Sequence, residues 1–162
     1  MVLAKTPGSG GHGLHDIKCQ NLEVDGCIIS KKHVIAIAAA TTLTASDSGD
    51  VISVSGGGYS ITLPTNASDY TGINYSFVVN TAPAGAITIA AGSAIIFGQV
   101  GESEVDSSND APGSSDDTGV SNLIIGTTAH PGDYIDLVSD GTKWFIDGRT
   151  FSDGVVTTGG GA

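Results

Sequence analysis

His12 and His15, in the run Gly-Gly-His-Gly-Leu-His-Asp, are the first residues of this chain whose types would do chemistry. Neighbouring imidazoles ligate zinc, but a structural zinc site takes four donors and a catalytic site three plus water. No third and fourth donor stands near them, so they read as polar contacts to a partner. Oxygen donors are more plentiful. Residues 101–119 hold Glu102, Glu104, Asp106, Asp110, Asp116 and Asp117 among Ser, Gly, Asn and Pro, with no basic residue. Such hard ligands suit calcium, yet Asp106-Ser-Ser-Asn-Asp-Ala-Pro-Gly lacks the ligand spacing and closing Glu of an EF-hand loop. The segment reads as a solvated surface loop between strands. Nucleophilic chemistry finds no marker either. His33 and His130 are the only histidines beyond residue 16, and no serine sits in a Gly-x-Ser-x-Gly elbow. His130-Pro131-Gly132-Asp133 reads as a turn entering a strand at Tyr134. The glycines at 56–58 and 159–161 lack the Lys-Ser/Thr of a phosphate loop. The expectation is a protein that is not an enzyme and takes no cofactor or metal.

Aromatic chemistry is the remaining candidate. Tyr59, Tyr70, Tyr134 and Trp144 would form a sugar-stacking platform if exposed. Their exposure depends on the strands that carry them. Residues 134–147 alternate on both sides of Asp140-Gly141, a strong hairpin signal. A two-residue turn there sets Leu137 opposite Trp144 and Ile135 opposite Ile146. It also sets Asp136 opposite Phe145 and Val138 opposite Lys143. The first set forms one apolar face, which assigns Trp144 to the core. Tyr70, in the loop Asn66-Ala-Ser-Asp-Tyr-Thr-Gly, is then the aromatic expected at the surface.

The rest of the chain follows the same period of two. Val34–Ala38 reads as a strand, with a short helix as the alternative that its alanines permit. Leu43–Gly49 reads as a turn. Val51–Ser55 and Tyr59–Leu63 read as a hairpin around Gly56–Gly58, and Pro64 ends the second strand. Asn74–Asn80 places Tyr75, Phe77 and Val79 on one face. Ala86–Ala90 and Ala94–Gly98 read as a short pair around Gly92, and Asn122–Gly126 as another strand. Gly is 24 of 162 residues, which suits many turns, and helix formers are scarce. About nine to eleven short strands are expected. The fold class is all-β: a β-sandwich or jelly-roll-like domain of short antiparallel strands with an extended N-terminal arm. The arm covers residues 1–33 and includes a small hairpin at Asp25-Gly26. The body covers 34–150. Residues 151–162 form a Gly-rich C-terminal tail, whose end Thr157-Thr-Gly-Gly-Gly-Ala has no core-forming content.

Charge separates these parts. Residues 1–33 carry Lys5, Lys18, Lys31 and Lys32 against three acids, a net of +1. Residues 34–162 carry Lys143 and Arg149 against fourteen acids, a net of −12. So acidic a body disfavours phosphate backbones, and no segment approaches a membrane span, so neither nucleic acid nor membrane is an expected partner. The lysine-bearing arm is the expected docking element. Cys19 and Cys27 are the only cysteines. The start Met-Val-Leu-Ala-Lys-Thr has no apolar stretch suited to a signal peptide, so free thiols in a reducing cytoplasm are expected.

Several segments fall in a familiar order. They are Leu43-Thr-Ala-Ser-Asp-Ser-Gly, Val51–Val54, Ile61-Thr-Leu-Pro, Gly72, Tyr75-Ser-Phe-Val-Val and Gly132-Asp-Tyr-Ile-Asp-Leu-Val-Ser-Asp-Gly-Thr-Lys-Trp-Phe-Ile-Asp-Gly. In this order they resemble small β-domains of bacteriophage head-decoration proteins and of head or tail fibres. Asn21-Leu-Glu-Val-Asp-Gly-Cys-Ile-Ile is similar to short hairpins of trimeric phage fibres. The resemblance implies a structural protein of the virion, usually a homotrimer, assembled in the host cytoplasm and lying on the capsid surface. The expected function is capsid decoration (cement) across junctions of the major capsid protein. Lys5, His12, His15, Lys18, Lys31 and Lys32 are the expected capsid-binding residues. The alternative is a head or tail fibre module that binds a glycan of the host surface.

Overall fold

Apolar residues recur at every second position through the body, and each such run is a strand with one buried face. The computed structural model describes residues 32–65, 70–93, 95–103, 115–152 and 154–161, with only the backbone at 115–118, 160 and 161. In chain order the strands are β1 (Val34–Ile37), β2 (Thr41–Thr42), β3 (Val51–Val54), β4 (Tyr59–Thr62), β5 (Asn74–Val79) and β6 (Ile87–Ala90). Then follow β7 (Ile96–Glu102), β8 (Ser115–Ile125), β9 (Tyr134–Ser139), β10 (Trp144–Thr150) and β11 (Val156–Gly161). The domain is all-β, as expected. Val34–Ile37 is strand rather than helix, and 43–49 holds a 3₁₀ turn, Ala45–Asp47, whose Asp47 carboxylate accepts the Thr44 N–H at 2.7 Å. The N-terminal hairpin and both cysteines lie outside the described residues.

Pairing departs from the expected antiparallel scheme. β3 and β4 do not form a hairpin. β3 lies parallel between β1 and β5, while β4 lies parallel between β2 and β6. Successive strands thus alternate between two parallel stacks, β1-β3-β5 and β2-β4-β6. Their inward residues meet in one core: Ile37, Ile52, Val54 and Phe77 from the first stack, Ile61, Ile87 and Ile89 from the second. The connections stack as well. Ser55 N–H donates to Ile37 C=O at 3.0 Å, Asn80 N–H to Val54 C=O at 2.9 Å and Ala84 N–H to Gly56 C=O at 2.7 Å. Gly56–Gly58 is therefore a crossover, not a hairpin turn. Gly57 has φ +152°, and a Cβ there would overlap the backbone of Gly85 in the next crossover.

The second half closes the sheet. β9 pairs antiparallel with β5, β10 with β9, and β7 runs parallel to β10. β6 and β7, expected to pair with each other, instead lie end to end along one side of β8. Val120 of β8 pairs with both Ile96 and Gly161, and Ile125 with both Ile87 and Val156, so β11 occupies the opposite side along residues 120–125. The end of the tail, Thr157–Gly161, expected to lack core-forming content, is thus part of the strand β11, which begins at the buried Val156 and follows the buried Val155. Backbone pairing to β8 needs no side chains, which is how a Thr-Thr-Gly-Gly-Gly run joins a sheet. The acidic loop is also shorter than expected, since 101–102 belong to β7 and 115–119 to β8. The sheet's terminal strands, β1 and β2, are joined by only Ala38–Ala40, a reach of at most ~14 Å, so the sheet curls nearly closed around its core.

The β9–β10 hairpin keeps its expected faces but shifts its register by two residues. Trp144 faces Ser139, Phe145 faces Val138, Ile146 faces Leu137 and Asp147 faces Asp136. The cause is Asp140. Its Oδ1 accepts the N–H groups of Thr142 at 2.7 Å and Lys143 at 2.6 Å, and the Thr142 hydroxyl at 2.8 Å. This Asx geometry draws residues 140–143 into a four-residue loop, closed by Asp140 N–H on Lys143 C=O. A shift of two preserves every side chain's face, so Ile135, Leu137, Trp144 and Ile146 remain buried. Trp144 packs against Tyr75 with ring centroids 5.8 Å apart. The Tyr75 hydroxyl donates to Thr44 C=O at 2.7 Å, and burial, with Asp47 and Tyr70 adding to it, pushes its pKa up to about 12.

Two outcomes are expected. Gly57→Ala should cost about 1–3 kcal/mol from backbone conformation alone, with the overlap on Gly85 added to it, read from the urea midpoint. The Lys143 and Thr142 amides hold the Asp140 carboxyl below the usual carboxylate range. Because its folded pKa is depressed, its contribution is full above the unfolded value and fades as pH falls through the folded one. Asp140→Ala should therefore lower Tm at pH 7, and the gap from wild type should narrow towards pH 2. An equal gap at both pH values would mean that the ionised carboxylate does not set the loop.

Candidate functional site

The expected docking residues are almost all beyond view. Lys5, His12, His15, Lys18 and Lys31 lie outside the described residues, whereas Lys32 is described and exposed. Next to it, His33 Nδ1 lies 2.9 Å from Asp50 Oδ2. Glu104, Asp106 and Asp110 of the acidic loop also lie outside, while Glu102 accepts the Gly154 N–H at 3.0 Å. No group of three or more His, Cys, Asp or Glu among the described residues is arranged to hold a metal ion. No described helix is long and apolar enough to cross a membrane.

The aromatic expectations divide. Trp144 is fully buried, and its Nε1 finds no acceptor among the described residues. Tyr59 is half-buried, its hydroxyl lying 2.8 Å from Ser55 C=O and 3.0 Å from Ile37 C=O. Tyr70, the ring expected at the surface, is half-buried and packs against the core. The exposed rings are Tyr134, Phe145 and Phe151. Two of them follow from alternation, because strands that bury Ile135, Leu137, Trp144 and Ile146 must turn Tyr134 and Phe145 outward.

The outer face of the sheet arranges these residues in rows. Across β5, β9, β10 and β7 one row reads Asn74, Val138, Phe145, Phe97, and the next reads Ser76, Asp136, Asp147, Gln99. Val138 and Phe145 are exposed and directly opposed, and the Lys143 Nζ lies 4.7 Å from the centre of the Phe97 ring. Asp136 and Asp147 are also directly opposed, a like-charge pair that a positively charged neighbour would relieve. An open groove of about 330 Å³ runs over Ser76, Asp136, Val138, Phe145 and Asp147.

A second constellation lies at the far end of the same hairpin. Arg149 of β10 is paired with Tyr134 of β9, and Phe151 follows two residues later. These three, with Ser103, Gly132 and Thr150, line a hollow of about 80 Å³. Asp133 holds this corner together. It is only 2% exposed, and its two carboxylate oxygens accept the N–H of His130 at 2.7 Å and of Phe151 at 2.8 Å. The turn expected at His130–Asp133 is therefore present, with its carboxylate aimed inward. His130 meets Phe151 edge-on at 6.4 Å, and Ser152 Oγ lies 3.4 Å from its Nδ1. These three residue types also occur in hydrolase triads, but here both Asp133 oxygens are engaged by backbone amides and do not orient the imidazole.

Compared with known proteins, the chain matches no protein-family model, no curated protein and no solved structure.

Asp133→Ala should leave two amides without their charged acceptor and cost about 2–5 kcal/mol. Asp133→Asn, which keeps one acceptor oxygen, should recover part of that loss. Denaturant unfolding of the two variants measures both. Equal stability of Asp133→Ala and wild type would show that water replaces the carboxylate at no cost.

Proposed function

We propose that this chain is a bacteriophage capsid decoration protein, a cement that binds across junctions of the major capsid protein. The supporting observation is the outward row Val138, Phe145, Phe97 on a tightly paired sheet. Opposed exposed apolar residues on rigid strands suit protein contact, because little side-chain or backbone freedom is lost on docking. The ordered run of segments from Leu43 to Gly148 adds the virion context by resemblance. In this reading the two stacks facing one another across the core correspond to the sandwich of such domains, and the protein assembles as a homotrimer. Residues 1–33, with Lys5, His12, His15, Lys18, Lys31 and Lys32, reach over the capsid, and the acidic body projects outward.

Purified protein added to capsids that lack it should bind at hundreds of copies per particle. Removing residues 1–16 should abolish binding. Val138→Ser with Phe145→Ser should weaken it at least tenfold, while stability changes by no more than about 1 kcal/mol. Full occupancy by both variants would end this reading. A dozen copies or fewer per virion would favour the fibre module instead.

A further inference from the structure

We propose that Tyr134, Arg149 and Phe151 form a binding subsite for a saccharide bearing a single carboxylate, a sugar of the uronic-acid type. The first argument is the state of Arg149. It is the only arginine of the chain, and among the described residues it makes no ion pair. Its one polar contact is Nη1 to Ser103 Oγ at 3.4 Å. A guanidinium presents a flat fork of donors that matches a carboxylate, and no described carboxylate engages it here.

The second argument is the setting of the rings. Phe151 is 61% exposed and Tyr134 37% exposed, and both line the hollow beside Arg149. Exposed aromatic faces beside a polar group are what a sugar ring requires, with apolar C–H surface on one side and hydrogen-bonding groups on the other. The backbone of Phe151 is held, since the buried Asp133 accepts its N–H, and its ring makes a T-shaped contact with the His130 ring at 6.4 Å. A hollow of about 80 Å³ is too small to enclose a pyranose, but it receives one substituent while the ring lies against the aromatics.

The third argument is electrostatic. A net charge of −12 over residues 34–162 repels polyphosphates and nucleic acids, whereas one carboxylate placed on Arg149 is tolerated. The favoured ligand is therefore largely neutral with an isolated negative group. The subsite stands independently of the capsid reading, because its test uses the isolated full-length protein.

Amide chemical shifts of the ¹⁵N-labelled full chain would be followed on titration with sodium glucuronate, glucose, sodium acetate and AMP. Glucuronate should move the amides of Gly132, Tyr134, Arg149 and Phe151. Glucose and acetate should each bind on the order of tenfold more weakly, since each lacks one half of the interaction. Arg149→Gln should reduce glucuronate binding to the glucose level, and Phe151→Ala should weaken glucuronate and glucose alike. Arg149→Lys, which keeps the charge and loses the fork, should fall between and serves if Arg149→Gln does not fold. The proposal is overturned by no shifts with glucuronate at about 50 mM, well above the millimolar range of a single-sugar contact. Unchanged binding to the Arg149 variants would overturn it too, as would acetate matching glucuronate. Tighter binding of AMP would reassign the site to nucleotides.

Discussion

A strand that buries every second residue is stable only where something covers that face, and in the first half of this body each strand is covered by the next. β1 to β6 alternate between two parallel stacks, so consecutive segments approach one core from opposite sides. That arrangement requires crossovers rather than turns, and the crossovers must stack as closely as the strands do. Gly57 against Gly85 is where this is tightest, since two backbones approach closer than any Cβ allows. The second half then has one task, to join the two stacks. β9 and β10 do so from β5, and the end-to-end run of β6 and β7 along β8 completes the path.

Most strands were legible in the sequence, whereas their partners, apart from the β9–β10 hairpin, were not. Alternation specifies which face of Ile52 or Ile61 is buried, and it is silent on which neighbour supplies the backbone hydrogen bonds. A glycine-rich link between two alternating runs reads as a hairpin because most short links are hairpins. Here the same glycines serve a parallel stack. β11 was illegible for the opposite reason. Its Thr-Thr-Gly-Gly-Gly residues carry no periodic signal, and they are paired along the long strand β8 behind the buried Val155 and Val156, the second of which opens β11.

One local choice connects fold and surface. Had Asp140-Gly141 made a two-residue turn, Val138 would face Lys143 and Asp136 would face Phe145, leaving an outer surface of mixed pairs. The Asp140 carboxylate instead binds the amides of Thr142 and Lys143 and moves the register by two. The core does not register the change, because the faces are preserved. The surface does, because Val138 now meets Phe145 and Asp136 meets Asp147. A turn residue thus sorts the outer face into an apolar row and an acidic row. Phe145 was readable as outward, but its apolar neighbour was not.

The corner at Asp133 follows the same logic at higher energetic cost. A carboxylate that is 2% exposed has lost nearly all contact with water and is tolerable only because charge-assisted bonds replace that hydration. Both of its bonds hold residues that are themselves exposed, His130 on one side and Phe151 on the other. The core gains little from this, because neither of those side chains fills it. What the arrangement secures is the backbone at Phe151, whose ring lines one hollow with Arg149 and Tyr134. A buried carboxylate that accepts the N–H groups of both His130 and Phe151 therefore ties the His130–Asp133 turn to the end of β10, and the hollow lined by Tyr134, Arg149 and Phe151 is built on that junction.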